Sequence, residues 1–172
     1  RPIPYADKPG RPQIRALFAG LCESCGCEAV IEGGSTIALK RKDGSITLEP
    51  GGQFELSARA FELDTECASD LDEHLRELLP LSDRLNIAFI GVGFRPLGTW
   101  DDVPWMPKGR YKVMREYLPT RGKLGVEMMK RTATVQANLD YVSEADAITK
   151  MRVGVGLGPL VTALYAASPL VD

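Results

Sequence analysis

The chain has 172 residues, 44% hydrophobic and 26% charged, with a formal net charge of −2. That balance suits a globular protein able to bury a core. It argues against a broad nucleic-acid surface, because phosphate binding needs clustered Lys and Arg, and the basic residues here are dispersed among acidic ones. No apolar run approaches the roughly 20 residues that span a bilayer, and residues 1–10 lack the apolar core of a secretory signal.

Taken in chain order, Ile14, Leu17, Phe18 and Leu21 recur at helical spacing after Pro12, predicting a first helix that ends near Gly26. Short strands are predicted at 28–31, 37–40, 45–48 and 53–57, with Gly33-Gly34 and Asp43-Gly44 as turns. Asp43-Gly44 is the candidate two-residue hairpin. A long helix over 63–84 carries Leu71, Leu75, Leu78 and Leu79, with Pro80 expected to end or kink it. His74, among Glu and Arg, is expected in solvent. Residues 86–92 form an apolar run typical of a buried strand. Residues 93–107, with three Pro and two Trp, read as a loop, and 108–118 as a helix. Residues 133–141 alternate as a strand does. Ser143 and Asp146 form a capping-box-like start to a helix reaching about Val153. Gly154, Gly156 and Gly158 then loosen the chain, and Pro159 opens a last apolar helix. The order gives an α+β class with mainly antiparallel strands.

Three stretches can carry chemistry. In Leu48-Glu-Pro-Gly-Gly-Gln-Phe-Glu-Leu56, Glu49 and Glu55 flank a Gly-Gly turn between strands and can converge on one point. Hard cations such as Mg²⁺ take such oxygens and bridge them to substrate phosphates. In residues 132–140, period two puts Thr132, Thr134, Gln136, Asn138 and Asp140 on one face, which suits a wet cavity with a polar ligand or metal as well as a plain solvent-facing strand. In Met106-Pro-Lys-Gly-Arg-Tyr111, Arg110 can grip a carboxylate or phosphate in bidentate fashion, with Lys108 close by. Met128-Met129-Lys-Arg131 adds a further cationic, soft apolar patch. Cys22 and Cys25 form a CxxC, but Cys27, Cys67 and the single His74 do not complete a zinc site at suitable spacing. They read as reduced thiols. Together these features suggest an anionic, amino-acid-like ligand with a metal nearby.

The stretches LEPGGQFELS (48–57), MPKGRY (106–111) and MMKRTATVQANLDYVSEADAITKMR (128–152) closely resemble, in order, the plant and proteobacterial type of glutamate–cysteine ligase. The resemblance extends from about Pro12 to Pro169. It implies a glutamine-synthetase-like antiparallel sheet with helices on its outer side. It also implies an ATP- and Mg²⁺-dependent reaction: the γ-carboxylate of L-glutamate is phosphorylated, and the amine of L-cysteine attacks the acyl phosphate to give γ-glutamylcysteine, the first step of glutathione synthesis. By the same resemblance, Glu49, Glu55 and Gln136 are metal-site residues and Arg110 is the catalytic and substrate-carboxylate residue. Met129, Thr132, Thr134 and Asn138 line the substrate pocket. The family pattern also has a strand with a Glu-x-Glu metal motif before this stretch and further ATP and substrate contacts beyond it. Residues 1–172 are therefore expected to be one partial catalytic domain, inactive or nearly so alone, in a cytoplasmic enzyme. Cys67 matches a position that plant relatives use in a regulatory disulfide, and it is taken as a structural thiol. A ligase with another amine acceptor, or a non-catalytic binding module of the same fold, are the competing readings.

Overall fold

The computed structural model describes residues 1–6 and 10–168. The expected end of the resemblance at Pro169 lies outside the described residues. The chain divides into two compact units, Arg1–Ile90 with Gly98–Arg131, and Gly91–Leu97 with Thr132–Asp172.

The first unit opens with helix α1 (Ile14–Cys25), whose buried stripe is Ile14, Leu17, Phe18 and Leu21, as the spacing predicts. Its N-cap, Gln13, makes no side-chain cap bond. The first free N–H groups, of Ile14 and Arg15, are instead satisfied by the carbonyls of Pro4 and Tyr5 at 3.1 and 3.0 Å. Gly26 ends the helix in the left-handed region.

Strands β1 (Glu28–Glu32), β2 (Ser35–Arg41), β3 (Gly44–Leu48) and β4 (Phe54–Ala58) follow as an antiparallel meander in the order β1-β2-β3-β4. The tight two-residue hairpin with both central φ angles positive falls at Gly33-Gly34, at 56° and 78°. At the next turn the loop residues are Lys42 and Asp43, because Gly44 already pairs with Arg41. The hairpin signal in Asp43-Gly44 is thus shifted by one residue.

Helix α2 (Asp64–Arg84) continues through Pro80. The missing Pro80 N–H frees only the carbonyl of the exposed Arg76, which water can satisfy, while Leu78 and Leu81 anchor the flanking turns in the core. The buried stripe of α2 is Asp70, His74, Leu78 and Leu81. Leu71, Leu75 and Leu79 lie exposed instead. Two contacts set this rotation. Leu81 packs onto Gly20 of α1 so closely that a Cβ there would lie 2.6 Å from its Cδ1. Arg41 of β2 binds Asp70 at 3.3 Å and Glu77 at 3.5 Å in a largely desolvated ion-pair network. α1 and α2 close over one face of the sheet, burying Leu39, Ile46 and Leu48 fully, each contributing roughly 1.5–3 kcal/mol.

His74 corrects the expectation of a solvated side chain. It is 4% exposed, stacks on Phe54 with centroids 5.9 Å apart, and its Nδ1 has no hydrogen-bond partner among the described residues. An apolar ring face beside a neutral imidazole is a tolerable burial, whereas a charged one is not.

After α2, residues 86–92 form no strand, and Phe89 and Ile90 are exposed. Helix α3 (Gly109–Tyr117) and a short helix α4 (Gly125–Arg131), which periodicity did not reveal, complete the unit.

In the second unit Phe94 makes an isolated bridge with Thr132, and the predicted strand at 133–141 is exposed and forms no ladder among the described residues. A strand forms only where another backbone supplies its N–H and C=O partners, so side-chain alternation alone did not suffice. Helix α5 (Glu144–Tyr165) starts at Ser143, whose side chain accepts from the Asp146 N–H, as the capping pattern predicts. It then runs unbroken through the three glycines and Pro159. Glycine costs about 1 kcal/mol in a helix but does not forbid one. No described residue of α5 is buried, and no helix is long and apolar enough to cross a membrane among the described residues.

Burial, with a smaller effect from Arg41, lowers the His74 pKa against an opposing pull from Asp70. The unfolded chain therefore binds more protons, and the neutral-His74 contribution is complete above the ordinary imidazole value and lost as pH falls below it. We predict that urea midpoints drop between about pH 7.5 and about pH 5.5, and that His74→Phe, which keeps the stack on Phe54, flattens this slope. Equal slopes in the two proteins would refute it.

Candidate functional site

Cross-strand partners share a sheet face, as do residues two apart on one strand. Glu55 pairs with Thr47, and Glu49 lies two residues beyond Thr47. Both carboxylates therefore project from the same face, opposite the one that sends Ile46, Leu48 and Phe54 towards the core. The turn between them is closed by Gly52 N–H to the Glu49 carbonyl at 2.8 Å and Glu49 N–H to the Gln53 carbonyl at 3.0 Å.

Helix α3 and its N-cap residue, Lys108, bring two cations to this face. The Arg110 guanidinium lies 3.4 Å from Glu49 Oε1 and donates to the Tyr111 hydroxyl at 3.2 Å. Tyr111 is 1% exposed and donates in turn to the Leu48 carbonyl, so the helix start is tied to the end of β3. At the other side, Glu32 Oε1 accepts from Gly109 N–H at 2.6 Å, fixing the β1–β2 turn to the first residue of α3. Lys108, half-buried above the Tyr111 ring, is held below its ordinary pKa mainly by burial and next by Arg110. Glu49, Glu55 and Glu32 oppose that shift. The Tyr111 hydroxyl is pushed up, chiefly by burial. Arg110 is raised, first by its bond to Tyr111. The result is a mixed patch in which carboxylates and permanent cations compensate each other.

The turn is gripped from a second side by α4. Gln53 Oε1 accepts from Gly51 N–H at 2.9 Å, and its Nε2 donates to the Met129 carbonyl at 3.1 Å. The Lys130 carbonyl comes so near that a Cβ on Gly51 would lie 2.2 Å from it. Lys130 itself is 3% exposed, with Nζ 4.6 Å from the Trp105 ring centroid and 5.3 Å from that of Trp100. Burial lowers its pKa. The cationic patch expected at 128–131 is therefore largely internal: Lys130 is a buried cation–π anchor, and Arg131 pairs with Glu127 at 2.9 Å.

Glu49, Glu55, Arg110 and Met129 thus belong to the first unit, the first three around one sheet face. Thr132, Thr134, Gln136 and Asn138 belong to the second. There Gln136 Nε2 donates to Asn138 Oδ1 at 2.8 Å, the same-side projection that period two predicts. Sequence reasoning missed Gln53, Glu32 and Lys130. Gln53 stood inside the turn motif, but its partner lies 76 residues away, and no local pattern encodes that pairing.

The donor set can be tested against Mg²⁺, the metal that the resemblance implies. Among the described residues no group of three or more His, Cys, Asp or Glu could hold an ion by itself. Glu49 and Glu55 nevertheless supply oxygen donors on one face, and Mg²⁺ commonly takes one or two carboxylates with the rest of its shell from water and phosphate. The residues fit that mode.

The architecture defines an α+β protein, an antiparallel sheet with helices on its apolar face and a charged patch on the other. Its residues 15–172 match glutamate-cysteine ligase family 2 (GCS2), and the chain belongs to that family. It is 44% identical over its whole length to a chloroplastic glutamate–cysteine ligase of Medicago truncatula, covering 33% of that protein. It is 45% identical to those of Arabidopsis thaliana and Nicotiana tabacum, covering 32% of each. The chain spans about a third of the length of these curated relatives. The expected cytoplasmic location is corrected by the same comparison, because these relatives are chloroplastic. Compartment is written in targeting segments rather than in a core, so the composition read here was blind to it.

Gly51→Ala forces its Cβ against the Lys130 carbonyl and should cost about 1–3 kcal/mol, as overpacking of a close contact does. A urea midpoint unchanged from wild type would show that the two backbones separate freely.

Proposed function

We propose that this chain contributes a carboxylate-and-cation face to an ATP- and Mg²⁺-dependent glutamate–cysteine ligase acting in glutathione biosynthesis. The observation that carries the reading is the shared sheet face of Glu49 and Glu55 with Arg110 and Lys108 beside it. Oxygens for a hard cation and donors for an anionic substrate are then within reach of each other, in a chain of this family.

In this reading Glu49 and Glu55 would hold Mg²⁺ through their carboxylate oxygens, and Gln136 of the second unit is by itself a proposed metal-site residue. Mg²⁺ held by those carboxylates would supply positive charge against the phosphates as one is transferred to the γ-carboxylate of glutamate. Arg110 orients a substrate carboxylate through paired N–H donors. Its present partner Glu49 is a replaceable one, since an exposed pair at 3.4 Å is weak. Lys108 adds a positive point charge on the same side, softening the charge that builds up when phosphate and carboxylate approach each other. Met129 in the first unit and Thr132, Thr134 and Asn138 in the second are each proposed as substrate-binding residues, the first offering apolar contact and the others hydroxyl or amide groups that select an amino acid. The amine of cysteine then displaces phosphate from the acyl phosphate.

The deciding assay is ADP release by a complete ligase containing this chain, with ATP, Mg²⁺ and glutamate, in the presence and absence of cysteine. Release that does not depend on any amine acceptor would overturn the reading, and dependence on another amine would reassign the acceptor. Glu55→Gln should lower turnover roughly a hundredfold or more with the fold intact. Wild-type turnover would remove Glu55 from the metal site. Arg110→Ala should raise the KM for glutamate roughly ten- to a hundredfold, the value of a hydrogen bond to a charged group. Unchanged kinetics would remove Arg110.

A further inference from the structure

One side chain on the charged face bonds in two directions at once. Gln53 sits between the two candidate metal carboxylates in sequence. Its Oε1 accepts from Gly51 N–H within the turn, and its Nε2 donates to the Met129 carbonyl in the last turn of α4. That carbonyl is one of the four that a helix end leaves without an internal partner, so the amide caps α4 while bracing the turn. Only a primary amide of this length offers both an acceptor and a donor here. A carboxylate keeps the first bond and loses the second, and a thioether of the same length loses both.

The remaining contacts make this bracing stiff. Gly51 has no Cβ, and a Cβ would meet the Lys130 carbonyl at 2.2 Å, so the two backbones approach more closely than any side chain at residue 51 would allow. Lys130 is buried against Trp105 and Trp100, which stops α4 from rotating away. Met129, the candidate pocket residue, and Glu49, the candidate metal residue, are therefore referred to one amide.

From this geometry we infer that Gln53 is a positioning residue: its amide clasps the turn bearing Glu49 to the end of α4 and so sets where Glu49 stands relative to Met129. The inference rests on the ligase reading for its catalytic consequence, but the clasp itself does not. Gln53 does not touch the reacting atoms. It acts through Glu49 and Met129.

The test uses Gln53→Met and Gln53→Glu in a complete ligase containing this chain. Gln53→Met should raise the Mg²⁺ concentration for half-maximal rate and lower kcat, each roughly tenfold or more, as small misplacements of a site do. Gln53→Glu, which retains the bond to Gly51, should recover part of the loss. Cooperative thermal unfolding of both variants distinguishes misplacement from collapse. If Gln53→Met does not fold, Gln53→Glu alone carries the test. A variant with wild-type Mg²⁺ dependence and kcat overturns the clasp. If the wild-type protein itself gives no amine-dependent ADP release, the ligase reading fails, and the clasp is then read by amide hydrogen exchange. Faster exchange at Gly51 and Gly52 in Gln53→Met supports it, and unchanged exchange overturns it.

Discussion

The turn at residues 49–53 is held through its own backbone and amides from several parts of the first unit. Met106 N–H donates to the Pro50 carbonyl at 3.0 Å, Tyr111 donates to the carbonyl of Leu48 just before the turn, and Gln53 reaches Met129. Most segments that reach the charged face do so through this turn. The constraint behind it is that polar backbone groups leaving a sheet must find partners once water is excluded. Partners drawn from distant segments turn a local bend into a junction.

The sheet has a different task on each face. One face is apolar and closed by α1 and α2, with Leu39 and Ile46 fully buried. That closure supplies the stability on which a charged face can be carried. The other face gathers carboxylates and cations that repel or attract one another at the surface, where each pair contributes little to stability and is free to exchange partners with a ligand. Lys108 marks the boundary between the two regimes, with its ammonium over the Tyr111 ring and within the influence of Glu49, Glu55 and Glu32.

A buried polar layer joins the helices to the sheet below this face. Arg41 binds Asp70 and Glu77, while Asp70 Oδ2 and His74 Nδ1 are without hydrogen-bond partners among the described residues. Removing one member of such a network leaves an uncompensated charge, which costs more than the network contributes. Its benefit lies in fixing one rotation of α2 over the sheet, the rotation that buries His74 and leaves Leu71 and Leu75 outside.

The sequence by itself determined the elements whose partners are near in the chain. Helix α1 followed from Ile14, Leu17, Phe18 and Leu21, the meander from four short runs and their turns, and the start of α5 from Ser143 and Asp146. Glu49 and Glu55 were legible as a pair because both flank one turn, and three ordered motifs were enough to reach the family. The segments at 86–92 and 133–141 have the apolar content and alternation of strands, yet no ladder forms on them among the described residues, because pairing depends on a second backbone that composition does not name. What only the tertiary structure decided was which residues meet across long separations: Gln53 with Met129, Glu32 with Gly109, Lys130 with Trp105, and His74 with Phe54. The physical reason is the same in each case. A periodic pattern reports which face of an element is apolar, whereas a hydrogen bond or a ring stack between distant residues depends on how closely two packed backbones approach.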